Sequence, residues 1–368
     1  MTEARSDGHS DLVDEVTIQT MTQLAALRDP CVTLLMPTHR DNPDLRHDAL
    51  QLRALAEEAA TQLTDKGQDP EAFLARVNEL VEDSAFWRSQ ADGLAVYADV
   101  EGTHVFRVPR PLDALAHVGA APRLLPLTRV AAGDEEFHLL ALGQNSVRLY
   151  RGNRDSLTEM DLGPIPASIE DTEREAEREP ELQHRPQPSA RGVATFHGHG
   201  GADDSDLAVQ KFLHEVAEGT RSRLGADDLR PLVLAAVAEH LPALQGTGLL
   251  PTLLDEAVAG NPEHLRPDEL LERAWPIVRT RIVERREELA DRFGAGHGAG
   301  TAVSDQGELH RAAQEGRIDT ILVPPAAPAG DRPDEADDKA VGQALATGAQ
   351  LAVAELPEGV PLAALLRY

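Results

Sequence analysis

The sequence holds one cysteine, Cys31, and no run of 18 or more apolar residues. A single cysteine excludes a disulfide framework and a cysteine-based zinc site within one chain. Residues 1–15 are acidic and lack an apolar core, so we expect no secretory signal peptide there. A chain without a long apolar run is not expected to span a membrane. These absences predict a cytoplasmic protein with no membrane partner.

Positive charge is also scarce. The chain of 368 residues has 63 acidic and 35 basic residues, a formal net charge of -28. Proteins that coat nucleic acid present a net positive face to the phosphates, so this balance argues against that class, and we expect no DNA partner. It leaves room for RNA contact through one local basic patch. The same balance is typical of a protein kept soluble by its acids or adapted to a salty cytoplasm.

Apolar residues make up 41% of the chain, enough for the cores of two or three domains. A tail of about 15 residues is predicted to be disordered. The apolar CVTLLMP (31–37) predicts a buried strand, 44–65 and 70–83 have helical spacing, and 93–108 has the pattern of a hairpin. We predict an N-terminal α/β domain over residues 1–128.

Residues 129–265 form the second predicted domain. Two strands are predicted within 137–152, followed later by an amphipathic helix over 206–224 and a buried strand over 231–237. The segment 164–206 between them is charge-rich and contains several prolines and glycines. Because it has few apolar residues to offset the entropy cost of ordering, we predict a mobile loop.

The third predicted domain covers residues 266–368. Its first helix is predicted to start at Pro267, to be kinked or interrupted at Pro276, and to end at the glycine-rich GAGHGAG (294–300). Helices and strands then alternate towards the end of the chain, which predicts an α/β sandwich. The predicted fold class is therefore α/β, with three α/β domains.

Several of these segments, in this order, resemble the bacterial archaeo-eukaryotic release factor family, within the superfamily of release factors and Pelota. HGHGGADDSDLAVQKFLHEVAEGTRSRL (197–224) resembles the segment in which a Gly-Gly-Gln loop leads into a long helix, and ELHRAAQEGRIDTILV (308–323) resembles the family's last domain. CVTLLMPTHR (31–40) and LLRY (365–368) resemble the bacterial branch. The resemblance implies an RNase H-like middle domain, an L30e-like C-terminal domain, and the ribosome or its RNA as the partner.

One departure from the family pattern decides the expected chemistry. In release factors, the glutamine after the two glycines helps to place water against the peptidyl ester. Here the glycines are Gly200 and Gly201, and the next residue is Ala202, whose methyl group cannot position water. The resemblance thus implies a divergent member with no catalytic residue and no cofactor. It would be a non-catalytic, ribosome-associated protein linked to translation, with a role in rescue, stress or hibernation.

The candidate site residues come mainly from the same segment. Glycines allow a close backbone approach to a partner, and histidines offer donors and a charge that changes near neutral pH. The loop expected to contact the partner comprises His197, Gly198, His199, Gly200 and Gly201. A ribosome-binding protein is further expected to gather its basic contacts on one face, here Arg221, Arg223, Arg279, Arg281 and Arg285.

Two other functions stay open on the sequence alone. His197 and His199 with Asp203 have the chemistry of metal ligands, which would suit a metal-dependent hydrolase. A solvated polar loop explains the same residues, and we expect no bound metal. The acidic charge instead suits a protein-interaction scaffold that no longer binds ribosomes. Separately, His39 and Arg40 follow the first strand and form either an anion site or an ordinary surface pair.

Overall fold

The structure is a computed structural model that describes residues 13–39, 45–143, 145–172, 203–226, 228–326 and 335–368. Three β-sheets with accompanying helices confirm the predicted mixed α/β class. The chain divides into two compact units. We call residues 1–134 with 283–368 the terminal unit, and residues 135–282 the middle unit. The division into three domains after residues 128 and 265 stays a prediction.

The N-terminal part of the terminal unit is built on a four-stranded sheet. Its elements are α1 (Ile18–Ala25), β1 (Cys31–Pro37), α2 (Leu45–Asp65), α3 (Pro70–Glu82), α4 (Ser84–Trp87), β2 (Gly93–Ala98), β3 (Thr103–Val108), β4 (Leu115–Gly119) and α5 (Leu125–Ala131). The strand order is β3-β2-β1-β4, and all neighbours are antiparallel. Asp69 begins α3 by accepting from the backbone N–H of Glu71, with Pro70 at the first helical position.

Alternate residues of β1 and β2 pack into two different hydrophobic cores. Leu34 and Val96 pack with α2 and α3 on one face of the sheet, whereas Leu35 and Tyr97 pack on the other. Cys31 is also buried in this sheet, and burial, helped by the negative charge of Glu335, raises the pKa of its thiol to about 12. Such a thiol stays protonated, which fits a core residue rather than a nucleophile.

The C-terminal part of the terminal unit adds a second four-stranded sheet. Its elements are β10 (Ala302–Val303), α9 (Gln306–Gln314), β11 (Ile318–Val323), α10 (Glu335–Ala346), β12 (Gln350–Val353) and β13 (Ala363–Leu366). The order is β10-β13-β11-β12, with only β11 and β12 parallel. Leu35 and Tyr97 of the first sheet share one hydrophobic core with Ile321 of the second and with Val341 of α10. The two ends of the chain therefore form one unit.

The middle unit is a five-stranded sheet covered by helices on both faces. Its elements are β5 (Phe137–Leu142), β6 (Val147–Gly152), β7 (Leu157–Met160), α6 (Asp203–Leu224), β8 (Leu232–Ala236), α7 (His240–Gly246), β9 (Val258–Ala259) and the start of α8 (Pro267–Ala299). The order is β7-β6-β5-β8-β9. Strands β5, β8 and β9 are parallel, and the β5–β6 and β6–β7 pairs are antiparallel.

Helix α8 is longer than the sequence predicts. It is assigned as one helix from Pro267 to Ala299, so Pro276 does not interrupt it, and it continues through the glycine-rich segment 294–300 almost to the last residue of that segment. Packing explains this result, because Leu289 and Phe293 are buried and their burial outweighs the low helix propensity of the glycines around them. The helix ends only at Gly300, which has a φ of 78°. The following N–H, of Thr301, donates to the carbonyl of Gly296 at 2.9 Å, as in a Schellman cap.

Candidate functional site

Helix α6 carries the segment that the sequence singled out. Phe212, Leu213 and Val216 are buried against the face of the sheet that presents Leu140 and Leu234. Among its described side chains, Phe212 is the first buried one, and Leu207 is 63% exposed. Since a helix rises about 1.5 Å per residue, the start of α6 at residue 203 lies about 14 Å along the axis from Phe212. The helix is therefore anchored through its second half.

Gly219 sets how closely α6 approaches the chain that leaves β7. A Cβ added at Gly219 would lie 2.8 Å from both the carbonyl oxygen of Pro164 and the Cα of Ile165. Ile165 is itself buried in the core under α6. Only glycine lets helix and loop backbone meet at this distance. The start of the segment predicted as a mobile loop is thus packed, while residues 173–202 lie outside the described part of the chain.

The carboxyl ends of β5, β8 and β9 lie at one edge of the sheet, because these strands are parallel. In open α/β sheets this edge is where ligands and partners usually bind. Helix α6 precedes β8 in the chain and ends near the amino end of that strand. The start of α6 therefore lies towards the edge formed by the carboxyl ends. The edge is thus the part of the middle unit nearest to the start of α6.

Glu263 organises the same edge. Its Oε1 accepts a hydrogen bond from the backbone N–H of Asn145 at 2.9 Å. Its methylene group packs against Gly143, where a Cβ would approach to 2.5 Å. The N–H of Asn145, with a further hydrogen bond from Asn261, holds the pKa of Glu263 below its usual range. Arg148 donates to the carbonyl oxygens of Pro262 and Leu265, which fixes the chain on either side of Glu263.

The sequence interpretation missed this edge for a physical reason. Asn145 and Glu263 are 118 residues apart, and the only local signal is a glycine in the β5–β6 turn, which is common in hairpins.

A partly buried charge network lies at the other end of β5, and the sequence interpretation missed it as well. His138 is 2% exposed, and its Nε2 lies 2.9 Å from Asp228, which also pairs with Arg230 at 3.0 Å. Arg230 and Arg151 both donate to Glu136 at 2.7 Å. Burial opposes ionisation of Asp228, but its hydrogen bonds from His138 and the backbone of Arg230 hold its pKa well below the usual range. The network fixes the turn between α6 and β8.

The predicted partner-contacting loop, His197, Gly198, His199, Gly200 and Gly201, lies outside the described residues, as do Ala202 and the side chain of Asp203. The metal set of His197, His199 and Asp203 therefore stays a hypothesis from the sequence. Within the described ranges there is no group of three or more histidine, cysteine, aspartate or glutamate side chains that could hold a metal. None of the helices in those ranges is long and apolar enough to cross a membrane.

The predicted basic contacts do not share one face of the middle unit. Arg221 and Arg223 lie in the last turn of α6, on the face of the sheet with Leu140. Arg279 and Arg281 lie on α8, which packs on the opposite face through Ala274 and Val278. Arg223 also donates to the carbonyl oxygen of Asp161 at 2.8 Å, so it holds the loop after β7. Arg285 lies further along α8, in the part assigned to the terminal unit.

Several solved structures are similar to this chain at low sequence identity. Similar solved structures include the archaeal translation termination factor aRF1, at 16% identity over 96% of this chain and 100% of that chain, with a TM-score of 0.25. Dom34 of S. cerevisiae, a translation termination-like factor, has 11% identity over 73% of this chain and 74% of that chain, with a TM-score of 0.42. Archaeal Pelota, in a model of its ribosome-bound form with ABCE1, has 12% identity over 72% of each chain and a TM-score of 0.42.

No curated protein matched the chain significantly. A family model did, over residues 136–317, which cover most of the middle unit, helix α8 and the segment that follows it. The model is that of bacterial archaeo-eukaryotic release factor family 3. The match confirms the predicted family over those residues.

Proposed function

We propose that this protein binds the ribosome and acts in translation without catalysing peptide release. The observation that carries the proposal is the combination of family membership over residues 136–317 with Ala202 after Gly200 and Gly201. A release-factor relative that lacks the glutamine has lost the group that positions water, but it keeps two glycines that allow a tight approach. Rescue, stress protection and hibernation all suit a protein that occupies the release-factor site of the ribosome without cleaving the peptidyl ester.

We further propose that the middle unit is RNase H-like and that residues 266–368 include an L30e-like domain. A mixed five-stranded sheet with α6 on one face and α8 on the other supports the first assignment. The alternation of α9, β11, α10 and β12, with β11 and β12 parallel, supports the second.

Charge sets the condition under which binding should occur. With a net charge of -28, the chain as a whole is repelled by RNA phosphates, so contact must come from small areas of exposed arginine. Arg221 and Arg279 are both exposed but lie on helices that cover opposite faces of the sheet. They cannot form one broad basic face, so we expect binding that depends on loop contacts and decreases only modestly with salt.

The first prediction is that the purified protein will not hydrolyse peptidyl-tRNA on a stalled or terminating ribosome. Ala202 offers no polar group to orient the attacking water, so release should stay at the background rate. Release of labelled peptide measures this directly. Ala202→Gln is the matched variant, because it restores the family residue while leaving both glycines in place. Release by the parent protein that is lost on replacing Gly200 and Gly201 would overturn the proposal.

The second prediction concerns the His197–Gly201 segment. The double variant His197→Ala, His199→Ala should bind ribosomes at least several-fold more weakly than the parent, while its thermal stability changes little. Ribosome co-sedimentation at several salt concentrations measures the first effect, and calorimetry measures the second. His214→Ala is the control, since His214 is exposed on α6 outside the segment. If the double variant and the parent bind ribosomes equally well, these histidines do not contribute to binding and the prediction is wrong.

The scaffold function is the alternative that the acidic charge favours. It predicts no co-sedimentation with ribosomes from growing or stationary cells even at low salt, where electrostatic repulsion and attraction are both strongest. That result would leave the fold and the family membership intact.

A further inference from the structure

Two histidines and a buried carboxylate lie together where β1 ends and α2 begins. The Nδ1 of His39 is 3.0 Å from Asp48 Oδ1, and the backbone N–H of His39 donates to Asp48 Oδ2 at 3.2 Å. The ring of His47 lies 6.2 Å from that of His39, centroid to centroid, at an interplanar angle of 65°. Asp48 is only 2% exposed, whereas both histidines are exposed. All three residues belong to the terminal unit.

Packed elements hold the two ends of the cluster. Thr38 is buried just before His39, its N–H donates to the carbonyl of Asp92 at 2.9 Å, and its hydroxyl donates to the carbonyl of Ala91 at 2.8 Å. Asp48 lies in the first turn of α2, and that helix buries its apolar side against β1. The backbone of His39 and the carboxylate that it contacts are therefore fixed by the core.

Asp48 determines which nitrogen of His39 is available. An ionised carboxylate only accepts hydrogen bonds, so a neutral His39 ring places its proton on Nδ1 and keeps a lone pair on Nε2. The His39 side chain is 57% exposed, so its ring is accessible to a ligand from solvent. A carboxylate behind a histidine is the usual arrangement around histidine metal ligands, where it fixes the ring and increases its basicity as a ligand.

The spacing of the two rings fits one shared ion. A metal at about 2.0–2.1 Å from each ring nitrogen lies about 3 Å from each centroid, so two rings that share it are at most about 6.5 Å apart. The observed 6.2 Å lies within this limit. A tetrahedral angle would bring the centroids about 1 Å closer, which rotation of the exposed His47 side chain can supply.

We propose that His39, through Nε2, and His47 bind a late first-row divalent cation such as Zn²⁺. Imidazole nitrogen is a preferred ligand of these ions. Because only two side chains contribute, water would fill the other positions. The buried negative charge of Asp48 favours a cation over an anion at the same place. The site is independent of the proposed ribosome binding and of His197 and His199.

Metal titration of the full-length protein tests the site. Zn²⁺ binding is measured by calorimetry, and Co²⁺ binding by the visible absorption that imidazole ligation produces. His39→Ala and His47→Ala should each lower the affinity at least tenfold. Asp48→Asn, which removes the carboxylate behind His39, should lower it by about 10–100-fold. His104→Ala, which removes an exposed histidine elsewhere in the same unit, is the control and should bind as the parent does.

The outcomes separate this site from the other candidate metal ligands. If His39→Ala and His47→Ala bind Zn²⁺ as tightly as the parent, or if the parent gives no Co²⁺ spectrum, the proposal is wrong. Loss of binding only in the His197→Ala, His199→Ala variant would assign the metal to that segment and would overturn the proposal equally. His47 is exposed on the first turn of α2, so its alanine variant should remain folded, and circular dichroism checks this.

Discussion

Replacing Gly219 by alanine should lower the free energy of unfolding of the middle unit by about 2–3 kcal/mol. The added methyl group would meet backbone atoms of Pro164 and Ile165 at 2.8 Å, and backbone cannot rotate aside as a side chain can. Either α6 moves away from the sheet or the loop after β7 does. Both movements loosen the core around Phe212 and Val216. The gain of about 1 kcal/mol from the better helix propensity of alanine offsets only part of this cost.

Gly246→Ala is the matched control in the same unit. Gly246 is helical and exposed at the end of α7, and a Cβ there would meet nothing within 4 Å. This change should leave the stability equal or raise it by about 0.5–1 kcal/mol, because alanine loses less backbone entropy on folding. Denaturant unfolding followed by circular dichroism compares the two variants. Equal stability of Gly219→Ala and Gly246→Ala would show that α6 can shift without cost.

Replacing Arg123 by methionine should destabilise the terminal unit by about 3–5 kcal/mol at pH 8. Arg123 Nε lies 3.1 Å from Asp338 Oδ2, and the Asp338 side chain is fully buried. Asp338 Oδ1 accepts the backbone N–H of Leu125 at 2.8 Å, so this carboxylate joins α10 to the start of α5. Methionine would leave an ionised, buried carboxylate without its neighbouring charge. The loss should be smaller at pH 6, where Asp338 can remain protonated in the folded state.

The pH dependence follows from the pKa of Asp338. Burial raises this pKa to about 7, although Arg123 and the N–H groups of Leu124 and Leu125 act in the opposite direction, and Asp337 adds to the increase. The folded-state pKa is thus above the ordinary value of about 3.9. The corresponding stability is fully present below about pH 4 and is lost as the pH rises through about 7.

Asp338→Asn checks this sign. Asparagine keeps an acceptor for Leu125 but cannot ionise, so its stability should decrease less than that of the parent between pH 5 and 8. Other ionisable groups near Asp338, such as His117, Glu335 and His310, are present in both proteins, so their contributions cancel in the difference. Each pH unit between the two pKa values contributes at most about 1.4 kcal/mol. Calorimetric melting at matched ionic strength measures the slopes, and parallel slopes would contradict the assignment.

The local elements could be predicted because their patterns are local. The strand 31–37, the hairpin 93–108 and the apolar spacing of α6 each reflect neighbours within a few residues, and the structure has all three. The extent of α8 could not be predicted in this way. Glycine and proline lower helix propensity wherever they occur. Buried contacts with distant residues reverse the outcome, through Ala274 and Val278 around the proline and through Leu289 and Phe293 near the glycines.

Contacts between residues distant in sequence could not be predicted from local patterns. Arg123 and Asp338 are separated by 215 positions, and no spacing rule links them. The carboxylate behind His39 was missed for a subtler reason. Asp48 has the position of an ordinary acid in the first turn of a helix, and its contact with His39 depends on how α2 packs against β1. The family itself was recognisable, because several short segments kept their order along the chain.

The shared core of the two chain ends has a consequence for the protein during its synthesis. Leu35 and Tyr97 emerge early from the ribosome that makes them, but their partners Ile321 and Val341 are among the last residues to be added. The middle unit, by contrast, uses only residues 135–282 and can fold while the rest is still being made. Until Ile321 and Val341 have been added, one apolar face of the first sheet stays uncovered. A nascent chain that stops near residue 300 should therefore contain a complete middle unit but still need a chaperone for the uncovered face of the first sheet.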